Sequence, residues 1–356
     1  MNILVALLVF IGLTLAYGFV MRHWGLRGLT VARAFEKPAV FCGEEGSLTE
    51  VVVNDRPLVI PWLRVESRIP AALRFGRQEN LDIAGDMYHH SLFTVMPWQR
   101  ITRRHRVRFL RRGVWDVGRA ALTVGDITGF FTCTREQEER VRIVVWPRLL
   151  PRDTLPEPVV RQLGSWALRR ASEDPFLTRG IRPYLPGDPI RDIHWPATAR
   201  TGEPQVRLHD PSAQVRLLVL LNGQLTQSQW ADVSEAEQAP LEDAISLATT
   251  LCLQALRAGM AAGYAANLAD AEGQSACSLP ACGPAREEQL LTGLAEIRLR
   301  RTVRFETFLR ELKLEPGLSV LLLSAYDGED VQQGMQALRR QGCDVMLVPL
   351  ERRPAA

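Results

Sequence analysis

The chain has 356 residues, 46% of them apolar and 23% charged, with a formal net charge of +3. That length exceeds one comfortable hydrophobic core, so two or more domains are expected. The composition excludes a largely disordered chain, and so small a charge does not by itself indicate nucleic acid. Lysine occurs only at Lys37 and Lys313, so nearly all positive charge is arginine. Genome base composition is the first reading of such a bias, ahead of a selected phosphate- or carboxylate-binding role. The six cysteines are scattered, and Cys277 and Cys282, the one close pair, lack the partners of a zinc site. They read as small apolar residues of a chain in a reducing compartment.

Residues 2–21, NILVALLVFIGLTLAYGFVM, carry no charge. About 20 such residues in a helix rise ~30 Å, enough to cross a hydrocarbon core. A cleaved signal peptide would want a basic start and small residues at its end; here bulky Phe19, Val20 and Met21 stand there, and Arg22, His23, Arg27, Arg33 and Lys37 follow. The positive-inside rule predicts an uncleaved single-span anchor in residues 1–28 with the rest of the chain cytoplasmic. Tyr17 and Trp24 suit interfacial aromatic positions.

Residues 29–148 read as a β-sandwich: short runs such as SLTEVVVND, PWLRVESRI and VRIVVWP are rich in β-branched and aromatic residues and separated by turn formers. In RITRRHRVRFLRR, strand alternation puts Arg104, Arg106 and Arg108 on one face and His105, Val107 and Phe109 on the other. The arginine face is a solvated face or a surface for anionic headgroups or an acidic partner. Residues 149–214 form a connector opened by the proline-rich WPRLLPRDTLPEPVV.

From 215 to 356 the pattern is α/β. VRLLVLL and LSVLLLSAY read as strands buried on both faces, PLEDAISLATTLCLQALRAG (240–259) as a helix with Pro240 near its start, and AREEQLLTGLAEI, FETFLREL and DVQQGMQALRRQG as further helices. YAANLA, ACSLP and CDVMLVPL supply strands. The alternation predicts a doubly wound parallel sheet. No GxGxxG or Walker A sequence occurs, so no nucleotide cofactor, and no cofactor of any kind, is expected.

Between these regions lies IRPYLPGDPIRDIHWPATAR, residues 181–200. Pro186-Gly187 is turn chemistry. Asp188-Pro189 reads as an N-cap and first helical residue, and Pro196 opens a second short helix ended by Gly202. Trp195 is expected as a packing anchor and His194 as a hydrogen-bonded histidine rather than a catalyst. Arg182, Arg191 and Arg200 stand near Asp188 and Asp192 and read as a charge network holding irregular backbone. The alternative is a site for a phosphate, carboxylate or acidic peptide. No nucleophile–base set lies nearby, so no catalytic residue is assigned.

At these residues the chain resembles the bacterial "domain of unknown function 58" family, whose signature runs broadly R-x-Y-x-x-G-D-x-x-R-x-I-x-W-x-x-x-A-R. Arg182, Tyr184, Gly187, Asp188, Arg191, Ile193, Trp195, Ala199 and Arg200 fall on its fixed positions. RHWGLRGL, RRGVWDVG…LTVGDITGFF and VVWPRL extend the likeness upstream; Pro196 departs from it, where relatives commonly carry a basic residue. The resemblance implies a membrane-tethered cytosolic protein with a von Willebrand factor A-like last domain; the sandwich of residues 29–148 is expected to be immunoglobulin-like. It also implies partnership with MoxR-type AAA+ ATPases and with membrane proteins bearing transglutaminase-like domains. The metal motif of that fold, D-x-S-x-S, corresponds here to Asn222, Gln224 and Thr226, whose neutral groups suit a hard cation poorly. With Asp327 the one remaining acidic candidate, the metal site is expected to be degenerate. The expected function is therefore a membrane-anchored, non-catalytic adaptor or scaffold in the bacterial cytoplasmic membrane. It would engage a protein partner such as an AAA+ ATPase, and no nucleic acid. The competing expectation is an enzyme or binding protein that holds an anionic ligand on the 182–200 arginines.

Overall fold

The computed structural model describes residues 3–76, 87–171, 178–185, 193–209, 215–229 and 232–350. The chain divides into two compact units, Met1–Arg148 and Leu149–Ala356.

The first unit begins with α1 (Ile3–Trp24), the one helix among the described residues long and apolar enough to cross a membrane. Eleven strands follow: β1 (Leu29–Phe35), β2 (Ala39–Phe41), β3 (Glu45–Asn54), β4 (Ile60–Ile69), β5 (Leu73–Phe75), β6 (Met87–Val95), β7 (Arg100–Phe109), β8 (Gly113–Asp116), β9 (Arg119–Gly125), β10 (Thr132–Glu138) and β11 (Arg142–Trp146). They form two four-stranded antiparallel sheets, β1-β3-β7-β5 and β10-β9-β4-β6, and a three-stranded sheet β2-β11-β8 in which β11 runs parallel to β2. One core takes Val31 and Val52 from the first sheet and Leu63, Phe93, Leu122 and Val124 from the second, so the two sheets share an apolar interior. Met21 of α1 enters the same core.

The alternation predicted for β7 is present: Arg104, Arg106 and Arg108 are exposed, Val107 and Phe109 are buried, and His105 is half-buried. His105 Nε2 lies 3.3 Å from Oε2 of the buried Glu50. Burial raises the Glu50 carboxyl, but the His105 hydrogen bond and the nearby Arg33 outweigh it and leave its pKa below the ordinary value. The His89 ring meets His105 edge to face at 4.6 Å.

The second unit holds α2 (Glu157–Ala171), β12 (Thr178–Pro183), α3 (Trp195–Thr201), β13 (Gln205–His209), β14 (Arg216–Leu221), α4 (Glu235–Arg257), β15 (Ala261–Ala269), β16 (Ser275–Ala281), α5 (Arg286–Glu296), β17 (Arg298–Arg301), α6 (Phe305–Glu311), β18 (Leu318–Ser324), α7 (Glu329–Arg340) and β19 (Asp344–Pro349). Its sheet runs β16-β15-β14-β18-β19, with β17 beside β15. β15, β14, β18 and β19 are parallel, whereas β16 and β17 run antiparallel to β15. The sheet is therefore mixed at one edge, not parallel throughout, because the Asp270–Gln274 turn joins β15 to β16 as a hairpin.

Consecutive residues of β14 serve opposite cores. Leu217, Val219 and Leu221 pack with α2, α4 and α5, while Leu218 and Leu220 pack with α6 and α7. That two-sided burial is why VRLLVLL is continuously apolar. The segment read as a connector supplies Leu155, Val159, Leu163 and the fully buried Trp166 to the first of these cores, and Trp166 Nε1 donates to Asp344 Oδ2 at 3.0 Å. Helix α4 begins five residues before Pro240, which lies inside it. Glu237 accepts from the Ser234 amide at 3.0 Å and so caps the earlier start. Cys252 and Cys343 are buried as expected of small apolar residues; Cys277 and Cys282 are exposed, so that reading fails for them.

Candidate functional site

The signature stretch is built as a hairpin closed by a short helix. β12 pairs antiparallel with β13, with Arg182 opposite Val206 and Pro183 opposite Gln205. Ile193 bridges Val206 as well, and the His194 amide donates to the Gln205 carbonyl at 2.7 Å. His194 then caps α3: its Nδ1 accepts from the Ala197 amide at 3.0 Å. Pro196 sits in the first turn, where the missing N–H costs nothing. Gly202 ends the helix at φ +76°, and Thr198 Oγ1 accepts from the Gln205 amide at 3.0 Å, stitching helix to strand.

The predicted site residues separate on this frame. Tyr184 is half-buried, its amide bonded to Pro204 O at 2.9 Å. Arg182 is half-buried and donates to the Pro183 carbonyl at 3.0 Å. Arg200 is exposed in the last turn of α3. Gly187, Asp188, Arg191 and Asp192 lie outside the described residues, and with them the first short helix and most of the expected charge network. Trp195 is no packing anchor: it is the first residue of α3 and 66% of it is exposed. Ile181 and Leu185 are exposed beside the same stretch.

A second constellation lies at the carboxyl ends of the parallel strands. Strand β14 is followed by an α-helix to β15 on one side, whereas β18 pairs on its other side, so the direction of winding changes between β14 and β18. Ligands of open α/β sheets favour this position. Asn222, completely buried, donates from Nδ2 to Ser324 Oγ at 3.0 Å. Gln224 donates to the Gln229 carbonyl at 2.7 Å and accepts the Phe305 amide at 2.6 Å. The Thr226 amide donates to Gln229 Oε1 at 3.1 Å. Arg301, buried at the end of β17, donates from Nε to Gly223 O at 2.8 Å and from Nη2 to Glu237 Oε2 at 3.0 Å. Asn267 Oδ1 accepts the Gly223 amide at 2.7 Å.

Neutral amides already engaged by the chain, with a guanidinium among them, fit a hard divalent cation poorly. Asp327 is exposed and hydrogen-bonded by Gln332. Across the switch point the Tyr326 hydroxyl donates to Asp330 Oδ2 at 2.8 Å; burial, with that carboxylate beside it, raises the Tyr326 hydroxyl well above its ordinary value. Arg301, Asn267, Ser324, Tyr326 and Asp330 lie far from Asn222 along the chain and carry no motif, and Glu237 carries only the capping-box spacing with Ser234, which marks a helix start and not a site. The arginine at the end of a strand after a buried helix is the nearest hint.

The structure thus defines a chain with an apolar N-terminal helix, a multi-sheet β unit and a unit whose sheet carries helices on both faces. Residues 180–289, from β12 into α5, match the family model described as "Protein of unknown function DUF58", which supports the family resemblance. No curated protein matches. Among solved structures, the seventh ScaB type I cohesin from Pseudobacteroides cellulosolvens is similar over 36% of this chain and 98% of its own, at 13% identity and a TM-score of 0.22. The CARDB domain of the PF1109 protein from Pyrococcus furiosus is similar over 32% and 89%, at 12% identity and a TM-score of 0.19. The sporulation control protein Spo0M from Bacillus subtilis is similar over 44% and 58%, at 17% identity and a TM-score of 0.17.

Proposed function

We propose that this chain is a membrane-anchored adaptor of the bacterial cytoplasmic membrane. In this reading α1 crosses the bilayer once and both units face the cytoplasm, on the side that Arg22, His23 and Arg27 select. The β unit is an immunoglobulin-like sandwich, and the second unit is a von Willebrand factor A-like domain whose metal position is taken over by the Arg301–Glu237 pair and its amides. The docking surface for a protein partner is the signature hairpin. The observation that carries this is the exposure of three large apolar side chains, Ile181, Leu185 and Trp195, along a hydrogen-bonded hairpin and helix. A large exposed aromatic flanked by aliphatic residues and an arginine, here Arg200, has the composition of an interface core. The partner class implied by the family resemblance is a MoxR-type AAA+ ATPase.

The test is affinity capture of the full chain from detergent-solubilised membranes, alongside a Trp195→Ala/Leu185→Ala variant. Recovery of an AAA+ ATPase with the parent and at least about tenfold less with the variant is expected, since losing an interface hot spot costs about 2 kcal/mol or more. Equal recovery with both chains would move the docking surface elsewhere; recovery of the bait alone would remove the adaptor reading.

A further inference from the structure

In the structure α1 is seated on one end of the β unit, and the seat has a consequence for the loops around it. Tyr17 Oη donates to the Val59 carbonyl at 2.7 Å. A Cβ on Gly18 would collide with the ring of Phe131, so that ring lies directly on the helix backbone. Met21 is buried in the sandwich core. Where the helix ends, Arg56 donates to the carbonyl of Trp24, which also accepts the Arg27 amide, and, at 2.9 Å, to that of Gly25 just beyond the helix. The helix is therefore held at Tyr17, Gly18, Met21 and Trp24 along its last two turns, and is not a free tether.

Three loops surround that seat. The β3–β4 loop holds Arg56 and Val59; the β6–β7 loop holds Met96 and Trp98; the β9–β10 loop holds Ile127, Phe130 and Phe131. They are tied together: Asn54 Nδ2 donates to the carbonyls of Leu58 at 2.8 Å and Met96 at 2.9 Å, and the Trp98 amide donates to Arg56 O at 3.2 Å. Trp62, near the start of β4, pairs with Gly125, which places the β9–β10 loop beside them. That loop is organised from within: Asp126 Oδ1 accepts the Phe131 amide at 3.0 Å, Thr128 donates to Oδ2, and Gly129 turns at φ +77°. So held, Ile127 is 78% and Phe130 88% exposed. Trp98, the one described non-glycine residue at positive φ (56°), is 68% exposed. Aromatic and aliphatic side chains set outward on hydrogen-bonded turns are an expensive arrangement in water.

Depth decides what covers them. From Ile3 to Ala16, upstream of the seat, α1 rises only ~21 Å at ~1.5 Å per residue, against a hydrocarbon thickness of ~30 Å, and tilt shortens the reach further. If the described helix Ile3–Trp24 is the segment that crosses a bilayer, the crossing stretch takes in Tyr17, Gly18 and Met21. The β3–β4 and β9–β10 loops that touch Tyr17 and Gly18, and the β6–β7 loop bonded to the first of them, then lie at the level of the hydrocarbon edge.

We propose that the end of the β unit that receives α1 is a lipid-contact collar, in which Trp98, Ile127 and Phe130 enter the headgroup–acyl boundary of the bilayer that α1 spans. This rests on the membrane-spanning reading of α1. Aromatic side chains at that level match the composition of interfacial belts, and the exposed Arg22, Arg27 and Arg100 at the same end suit anionic headgroups. The collar fixes the β unit against the membrane surface in one orientation.

The experiment places the photoreactive residue p-benzoylphenylalanine, one site at a time, at Leu8, Trp98, Phe130 and Leu110 of the full chain. The chains are reconstituted into nanodiscs of phosphatidylethanolamine and phosphatidylglycerol, and adducts are read by mass spectrometry. Leu110 is an exposed apolar residue beyond the far end of β7, a strand whose ten residues span ~33 Å. Lipid adducts at Leu8, Trp98 and Phe130, with none at Leu110, are expected. Adducts at Leu8 without any at Trp98 and Phe130 overturn the collar and leave the spanning helix standing. No adduct at Leu8 removes the spanning reading and the collar with it. Equal labelling at Leu110 and Phe130, or protein–protein adducts in place of lipid at Phe130, also overturns the proposal.

Discussion

Arg301 and Glu237 meet at the carboxyl end of the parallel sheet, nearly shielded from solvent, with the guanidinium bonded to Gly223 O and the carboxylate bonded also by Gln229 and the Ser234 amide. Removing one partner of a buried pair leaves a charge without its counter-charge, at a cost of about 3–5 kcal/mol. Arg301→Met and Glu237→Leu should each lower stability by that amount in denaturant unfolding, while the double variant should recover a large part of it. Additive losses would show that the two residues act independently. In the β unit, burial holds His89 down to about 4, aided by His105 and His90 and opposed by Glu50, with Arg33 also facing it. The unfolded chain takes up a proton near the ordinary histidine value of about 6.5, and the folded unit does not until about 4. Stability therefore falls as pH drops through that window; Glu50, whose folded pKa is depressed, adds a loss below its unfolded value. His89→Phe should flatten the upper part of the slope in a pH series of thermal unfolding. At this scale the sequence was legible for His105, Val107 and Phe109, whose inward face follows from strand alternation alone. It was misleading for Trp195, since the size of a side chain does not say which way a short helix turns it.

Among elements, α1 shows most clearly how packing changes a reading. Its length and lack of charge are plain in the sequence, and Tyr17 has the look of an interfacial anchor; in the fold its hydroxyl is bonded to the β3–β4 loop instead. Gly18 is the residue that admits Phe131 to the helix surface. Gly18→Leu should cost the β unit about 1–3 kcal/mol by overpacking, seen as earlier thermal unfolding of the detergent-solubilised chain. Phe131→Ala in the same chain should return part of the loss by vacating the space. Helix α4 illustrates the opposite error: Pro240 looks like a start, yet the Glu237 cap carries the helix back to Glu235, outweighing the backbone bond lost at Pro240 and its crowding of the Ala236 carbonyl. Strands β14 and β18 were readable because burial on both faces demands continuous apolar sequence. The direction of β16 and β17 was not, since parallel and antiparallel strands of similar composition differ only in their connections.

Across the whole molecule, the sequence alone determined an apolar N-terminal helix, a β-rich stretch followed by an α/β stretch, and a signature between them. Each of these depends on local periodicity, hydrophobic length or residue spacing, quantities that neighbouring residues carry themselves. Only the tertiary structure decided that the proline-rich segment sends Trp166 into the second unit's core, that an arginine and a glutamate meet beside Asn222 and Gln224, and that two loops crossing between the sheets gather with the β9–β10 hairpin loop at the end of the β unit where α1 is seated. Those arrangements join residues tens to more than a hundred positions apart, and no local pattern records which distant backbone a buried charge or an exposed aromatic will face.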